Sequence, residues 1–275
     1  MADDDDGGAG AAADTEISPV APVAKVDTGH PPGAICPAPV RRPVMLQGWY
    51  DLASVHWRYD PEIVQALLPD GFTVDTFDGS AWVGLIPFRM HRVRVPGTPA
   101  LGPLSSFPET NVRTYLRDPA GRPAVWFCSL DITRWLPALV ARVSYRLPYC
   151  WSKMSIEREL DLITYTSRRR WPRLTAPGAA ESRMVIRVGS QLRPHEVDEL
   201  QVFLTARWAL GTTFGRRLMW AEVDHEPWPV HRAELVSCDE TMFAAAGLPA
   251  PEGEPIVLWS PGVEVRIARP HRVRP

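Results

Sequence analysis

Hydrophobic and polar residues alternate in short runs through most of the chain, and Gly, Pro or Asp interrupts them about every ten residues. A period of two belongs to an extended strand, whose successive side chains face opposite sides. The pattern predicts strands at 48–58, 72–77, 81–94, 111–117, 124–131, 149–157, 160–166, 183–189, 217–223, 230–236, 256–259 and 263–267. Helical signals are few. Asp60-Pro61-Glu62 supplies a cap and a first-turn proline ahead of Ile63, Val64, Leu67 and Leu68, and Pro69 stops the run. Short helices are also expected at 135–145, at 195–205 behind Pro194, and at 240–246 with Gly247 as the stop. So many strands with so few helices predict a mainly β fold. The most economical arrangement is a closed or nearly closed sheet, which leaves no exposed edge and can enclose a ligand cavity.

Composition sets the domain limits. Residues 1–43 carry an Asp run, Gly and Ala tracts and clustered prolines, too little apolar surface to offset the entropy of ordering, so a disordered tail is expected there. One domain is expected over 44–269, with 270–275 frayed. The formal net charge of -2 comes from mixed charges rather than a basic stripe, which argues against nucleic acid. No apolar run reaches the roughly 18 residues of a membrane span, and Asp3 to Asp6 stand where a signal peptide would be positive. The chain is therefore expected to be cytoplasmic, without a membrane partner. Cys36, Cys128, Cys150 and Cys238 are widely spaced and read as reduced thiols.

Candidate chemistry begins at 109–115, where alternation sets Glu109, Asn111, Arg113 and Tyr115 on one face and Val112 and Thr114 on the other. Such a row either lines a pocket or faces solvent. His225-Glu226 with His231 has metal-ligand residue types, but Pro227 and Pro229 exclude the helical i, i+4 spacing, so no metal is expected. Asp131 either caps a following helix or reaches the pocket, and Arg168-Arg169-Arg170 reads as solvated surface. Arg207-Trp208 suggests a guanidinium over an aromatic ring at a pocket wall. No phosphate-binding glycine loop or serine-nucleophile elbow occurs, so cofactor-free chemistry is expected.

Six blocks make the chain resemble the YqjF-like (DUF2071) family of the acetoacetate decarboxylase-like superfamily. They are 78–88 (DGSAWVGLIPF), 107–115 (FPETNVRTY), 125–131 (VWFCSLD), Ala141-Arg142 with Leu147-Pro148-Tyr149, 203–208 (FLTARW) and 225–229 (HEPWP). The resemblance implies an acetoacetate decarboxylase-like β-barrel or double β-sandwich cone with an internal pocket, assembled as a homo-oligomer. It places 109–115 at the pocket, which favours the pocket over the solvated face. In the decarboxylases an arginine stands six residues before a proline, and two adjacent lysines follow that proline. Arg142 and Pro148 keep the spacing, whereas Tyr149 and Cys150 stand at the lysine positions.

Without that lysine no imine forms at 149. Lys153 and Lys25 are the only lysines in the chain, and Lys153 lies four residues beyond Tyr149, on the same strand face if no bulge intervenes. A stem packed along a rim with its ammonium in water is favoured there over an inward nucleophile. The resulting expectation is a cofactor-independent, lyase- or isomerase-like enzyme acting on a small carboxylated or keto-bearing metabolite. Glu109, Tyr149 and Lys153 are its catalytic candidates, and Asn111, Arg113, Tyr115, Arg142 and Arg207 its substrate-binding candidates. The alternative is a non-catalytic fold that binds an apolar or aromatic ligand among the tryptophans.

Overall fold

The computed structural model describes residues 29–133, 148–171 and 180–273. Thirteen strands form one hydrogen-bonded sheet: β1 (Met45–Tyr59), β2 (Thr73–Val74), β3 (Ala81–Arg94), β4 (Phe107–Arg117), β5 (Pro123–Ile132), β6 (Tyr149–Glu159), β7 (Leu162–Trp171), β8 (Glu181–Gln191), β9 (Ala209–Phe214), β10 (Arg217–His225), β11 (His231–Glu240), β12 (Ile256–Ile267) and β13 (His271–Arg272). Among the described residues three short α-helices accompany them: α1 (Pro61–Gln65), α2 (Glu199–Thr205) and α3 (Met242–Ala245). The helix expected at 135–145 lies outside the described residues.

The sheet forks at two strands. One edge of β5 pairs with β4, while the other pairs with β6 at 130–132 and with β9 at 125–126. One edge of β12 pairs with β1, while the other pairs with β11 at 258–259 and with β10 at 265–267. The ladders therefore close two circuits that share the wall β12-β1-β3-β4-β5. A wall between two interiors must be apolar on both faces, and the first eight residues of β3, AWVGLIPF, are all buried.

One face of the wall presents Val55, Trp57, Val83, Leu85 and Val112, which pack with Ile163 and Tyr165 of β7, Met184 and Ile186 of β8, and Phe243 of α3. The other face presents Leu52, Ile86 and Phe88, which pack with Val223 of β10, Leu192, Trp228 and Val230. Pro261-Gly262 was expected to end a strand, yet β12 runs straight through it. Gly262 takes φ 144, and a Cβ there would stand 2.6 Å from the Trp49 carbonyl oxygen, so glycine keeps the ladder intact.

Two other expectations change. β9 was not anticipated, because ALGTTF has neither a long apolar run nor clear alternation. The segment 29–43 belongs to the folded body: Ala34 and Val40 are buried, and the Val40 amide donates to Asp224 Oδ2 at 3.1 Å. Trp208 Nε1 also donates to the Gly33 carbonyl at 3.3 Å, so long-range hydrogen bonds and two buried aliphatic residues hold a proline-rich segment that composition alone assigned to the tail.

Candidate functional site

The alternation of β4 fixes the site. Glu109, Asn111, Arg113 and Tyr115 follow one another along the same face, and none is more than 5% exposed. Glu109 lies between Phe88 of β3 and Ile132 of β5, and Asn111 between Ile86 and Leu130. Arg113 lies between Gly84 and Phe127. The row thus enters the interior that the second apolar cluster occupies, rather than facing solvent.

The Tyr115 end of the row clasps the C-terminal carbonyls of α2. Asp198 starts that helix by accepting from the Gln201 amide, with Gln201 returning the bond. At its other end the Tyr115 hydroxyl donates to the Leu204 carbonyl at 2.7 Å, which also accepts from Arg113 Nη2 at 3.0 Å. Arg207 Nε donates to the Phe203 carbonyl at 2.7 Å, and its Nη1 donates to Asp75 Oδ2 at 2.7 Å. Asp75 is shared with Arg117, whose Nε reaches Oδ1 at 2.8 Å. These groups satisfy carbonyls that a helix leaves unpaired, and they bring cations to its negative end. The Arg207 guanidinium lies over the rings of Phe203 and Tyr115, 4.0 and 4.6 Å from their centroids.

His56 completes this end and was not anticipated from sequence. Its Nε2 lies 2.7 Å from the Tyr115 oxygen and its Nδ1 lies 3.3 Å from Ser54 Oγ. Because the Tyr115 proton goes to Leu204, His56 Nε2–H donates to Tyr115, and Nδ1 accepts from Ser54. Burial holds the His56 pKa well below its ordinary value, and Arg113 and Arg207 push the same way, so the ring is neutral. Gly84 makes room for it: a Cβ there would lie 2.4 Å from Nε2. The legible signal was a histidine sharing strand parity with Ser54 in an otherwise apolar run.

The Glu109 end is chemically unfinished. Glu109 Oε2, Asn111 Oδ1 and Arg113 Nε are buried without a hydrogen-bond partner. Burial raises the Glu109 carboxyl to about 8; an Asn111 hydrogen bond opposes this and the charge of Asp131 adds to it. Leu130, beside Asn111, is paired on its other edge with Tyr149. Tyr149 is therefore on the Glu109 face, half-buried against the second apolar cluster. Arg113 also lies over the Trp228 ring, 5.7 Å from its centroid.

Other candidates lie apart. Lys153 is exposed on β6, opposite Arg168 of β7, and the register shifts between Trp151 and Ser152 on the way to it. Arg142 lies outside the described residues. Asp131 points to the opposite face of the wall, where its carboxylate receives Arg169 Nε and Nη2 at 2.8 and 2.7 Å and the Ser152 hydroxyl at 2.6 Å. The arginine run expected on the surface divides by parity: Arg168 and Arg170 are exposed, whereas the Arg169 side chain is 5% exposed.

A curved, mainly β sheet of this topology is the acetoacetate decarboxylase-like fold. It resembles the acetoacetate decarboxylase-like enzyme from Sphingomonas wittichii RW1 with a TM-score of 0.58 and 14% identity, covering 84% of this chain and 93% of that one. It likewise resembles the enduracididine biosynthesis enzyme MppR complexed with pyruvate, with a TM-score of 0.58 and 14% identity over 86% of this chain and 91% of the other. The chain itself belongs to the DUF2071 family, described as an uncharacterized conserved protein, whose pattern matches residues 46–264. Within the family it is 34% identical over 217 residues to the uncharacterized protein YqjF of Bacillus subtilis (strain 168), covering 79% of this chain and 87% of that protein. Among the described residues no helix is long and apolar enough to cross a membrane.

Proposed function

We propose that the protein is a cofactor-independent enzyme that moves a proton next to the carbonyl of a small carboxylated keto metabolite, in a lyase- or isomerase-like reaction. The observation that carries this reading is the row of orphaned atoms on β4: a carboxyl oxygen, an amide oxygen and a guanidinium nitrogen, buried side by side on successive inward positions. Leaving such groups unpaired costs about 1–3 kcal/mol each, a cost that a ligand of matching polarity removes. Arg113 supplies the cation for a substrate carboxylate, and Arg142 joins it in the reading drawn from the family resemblance.

Glu109 is the proton carrier. Near neutral pH its carboxyl is mostly protonated and donates to an enolate-like oxygen or carbon; its ionised fraction removes a proton α to the carbonyl. Asn111 Oδ1 accepts from a hydroxyl or enol of the substrate, and the Tyr149 hydroxyl donates to the reacting oxygen from across Leu130. No imine is needed, and Lys153 takes no part from its exposed position on β6. The pyruvate complex of the structurally similar MppR supports this substrate class, because that ligand carries both a carboxylate and a keto group.

The test is exchange of the pyruvate methyl protons in heavy water, followed by proton NMR. Wild type should exchange them, faster as pH rises through about 8, and Glu109→Gln should exchange no faster than solvent. Borohydride added with pyruvate should leave the protein mass unchanged. A borohydride-trapped adduct, or full exchange by Glu109→Gln, would overturn the assignment.

A further inference from the structure

A second site lies away from the Glu109 row. Segment 29–43, the stretch 191–197 after β8, α2 and the turn between β10 and β11 border a part-open cavity of about 250 Å³, whose wall includes Leu192, Val202, Ala206, His225, Trp228 and Val230. None of Glu109, Asn111, Arg113 or Tyr115 lines it, and none of the described lining residues is Asp, Glu, Lys or Arg. A space of about 250 Å³ has room for one aromatic ring with a short substituent, since roughly 150 Å³ accommodates benzene.

Half-buried His30, exposed Gln191 and buried Thr205, whose hydroxyl donates to the Gln201 carbonyl, also line the cavity, and two buried side chains bring further polar atoms to its wall. Trp228 is 7% exposed, and its Nε1–H is buried without a partner. His225 is 6% exposed, and its Nδ1 lies 2.7 Å from the Glu226 carbonyl. A carbonyl only accepts, so Nδ1 carries the hydrogen. Burial lowers the ring's pKa to about 4, so the ring is neutral and Nε2 is left as a bare acceptor. The two rings are neighbours, with centroids 6.1 Å apart at 44°. One unused donor and one acceptor, in a space without carboxylates, lysines or arginines, match a single hydroxyl, which accepts through its oxygen and donates its hydrogen.

We propose that this cavity binds a small uncharged phenol, its ring against the aliphatic wall and its hydroxyl accepting from Trp228 Nε1–H while donating to His225 Nε2. Carboxylated ligands belong elsewhere, because no cation lines the cavity. The site is distinct from the proton-transfer row, which it meets where Trp228 packs in the second apolar cluster and where the Arg113 guanidinium lies 5.7 Å from the Trp228 ring centroid.

The experiment is calorimetric titration of the full chain with phenol, anisole, toluene and benzoate. Phenol should bind about tenfold more tightly than toluene, from two neutral hydrogen bonds, anisole should fall between them, and benzoate should not bind. Trp228→Phe should weaken phenol about fivefold and leave toluene unchanged. Ala206→Phe, folded by circular dichroism, should bind neither because its ring fills the space, while Glu109→Gln should bind phenol as wild type does.

Failure of phenol to bind, equal affinity for phenol and toluene, or retained binding by Ala206→Phe would overturn the proposal. Tighter binding of benzoate, or loss of phenol binding in Glu109→Gln, would overturn it by placing the ligand in the β4 row. The ligand series on the wild-type chain decides the matter even if Trp228→Phe does not fold.

Discussion

Replacing Glu109 with Gln is expected to change stability by an amount that depends on pH, the variant gaining on the wild type as pH rises from 4.5 to about 8. The carboxyl titrates at 4.5 when free and at about 8 in the fold, and each unit of difference is worth about 1.4 kcal/mol. Because the folded value is raised, the stability due to the neutral carboxyl is fully present below 4.5 and is lost as pH rises through about 8. Near neutral pH the unfolded chain has ionised Glu109 and the folded chain has not, which costs the wild type about 3 kcal/mol, approaching about 5 kcal/mol above the folded pKa.

Glutamine has nearly the same shape and no proton to lose, so the variant escapes this cost. Its amide brings its own unpaired donors, a penalty of about 1–3 kcal/mol that does not vary with pH. The variant curve therefore shifts vertically, and only the slope of the difference reports on Glu109. Urea unfolding of both proteins at a series of pH values from below 4.5 to above 8 measures that slope. A flat difference would show that the fold leaves the Glu109 carboxyl at its free value, and a variant that loses ground as pH rises would show it ionised and paired; either would refute the argument.

Two further substitutions test the framework around the row. Gly84→Ala puts a methyl group 2.4 Å from His56 Nε2 and should cost about 1–3 kcal/mol in urea unfolding, and the double variant with His56→Ala should cost less than the two single changes added together. Asp131→Asn strips the buried Arg169 of its carboxylate and should cost about 3–5 kcal/mol, whereas Asp131→Leu combined with Arg169→Met should restore most of that loss.

What was legible in the sequence was what depends on nearest neighbours. The inward row of β4, the cap at Asp60 and most strand positions follow from parity and turn residues within a few positions. What was hidden depends on partners far along the chain. Arg169 looked solvated because its neighbours Arg168 and Arg170 are, and only the insertion of β6 between β5 and β7 brings it to Asp131, 38 residues away. Arg207 looked like a pocket cation, yet its guanidinium is engaged by Asp75, 132 residues earlier, and by the end of α2.

The forked sheet explains why polar parity could not be interpreted from β4 alone. In a sheet with one wet face, four polar side chains at alternate positions mark the solvent side. Here β4 lies in a wall with an interior on each side, so its two parities enter two different interiors. Val112 faces the aliphatic cluster of β7 and β8, and Glu109 faces the cluster of Phe88, Ile132 and Trp228. The carboxyl is thereby denied water without being given a cation of its own, because the nearby guanidiniums of Arg113 and Arg207 are turned to α2 and Asp75. A neutral, transferable proton on Glu109 is thus a consequence of where the sheet divides, since β5 holds Ile132 beside Glu109 with one edge and begins the two separate interiors with the other.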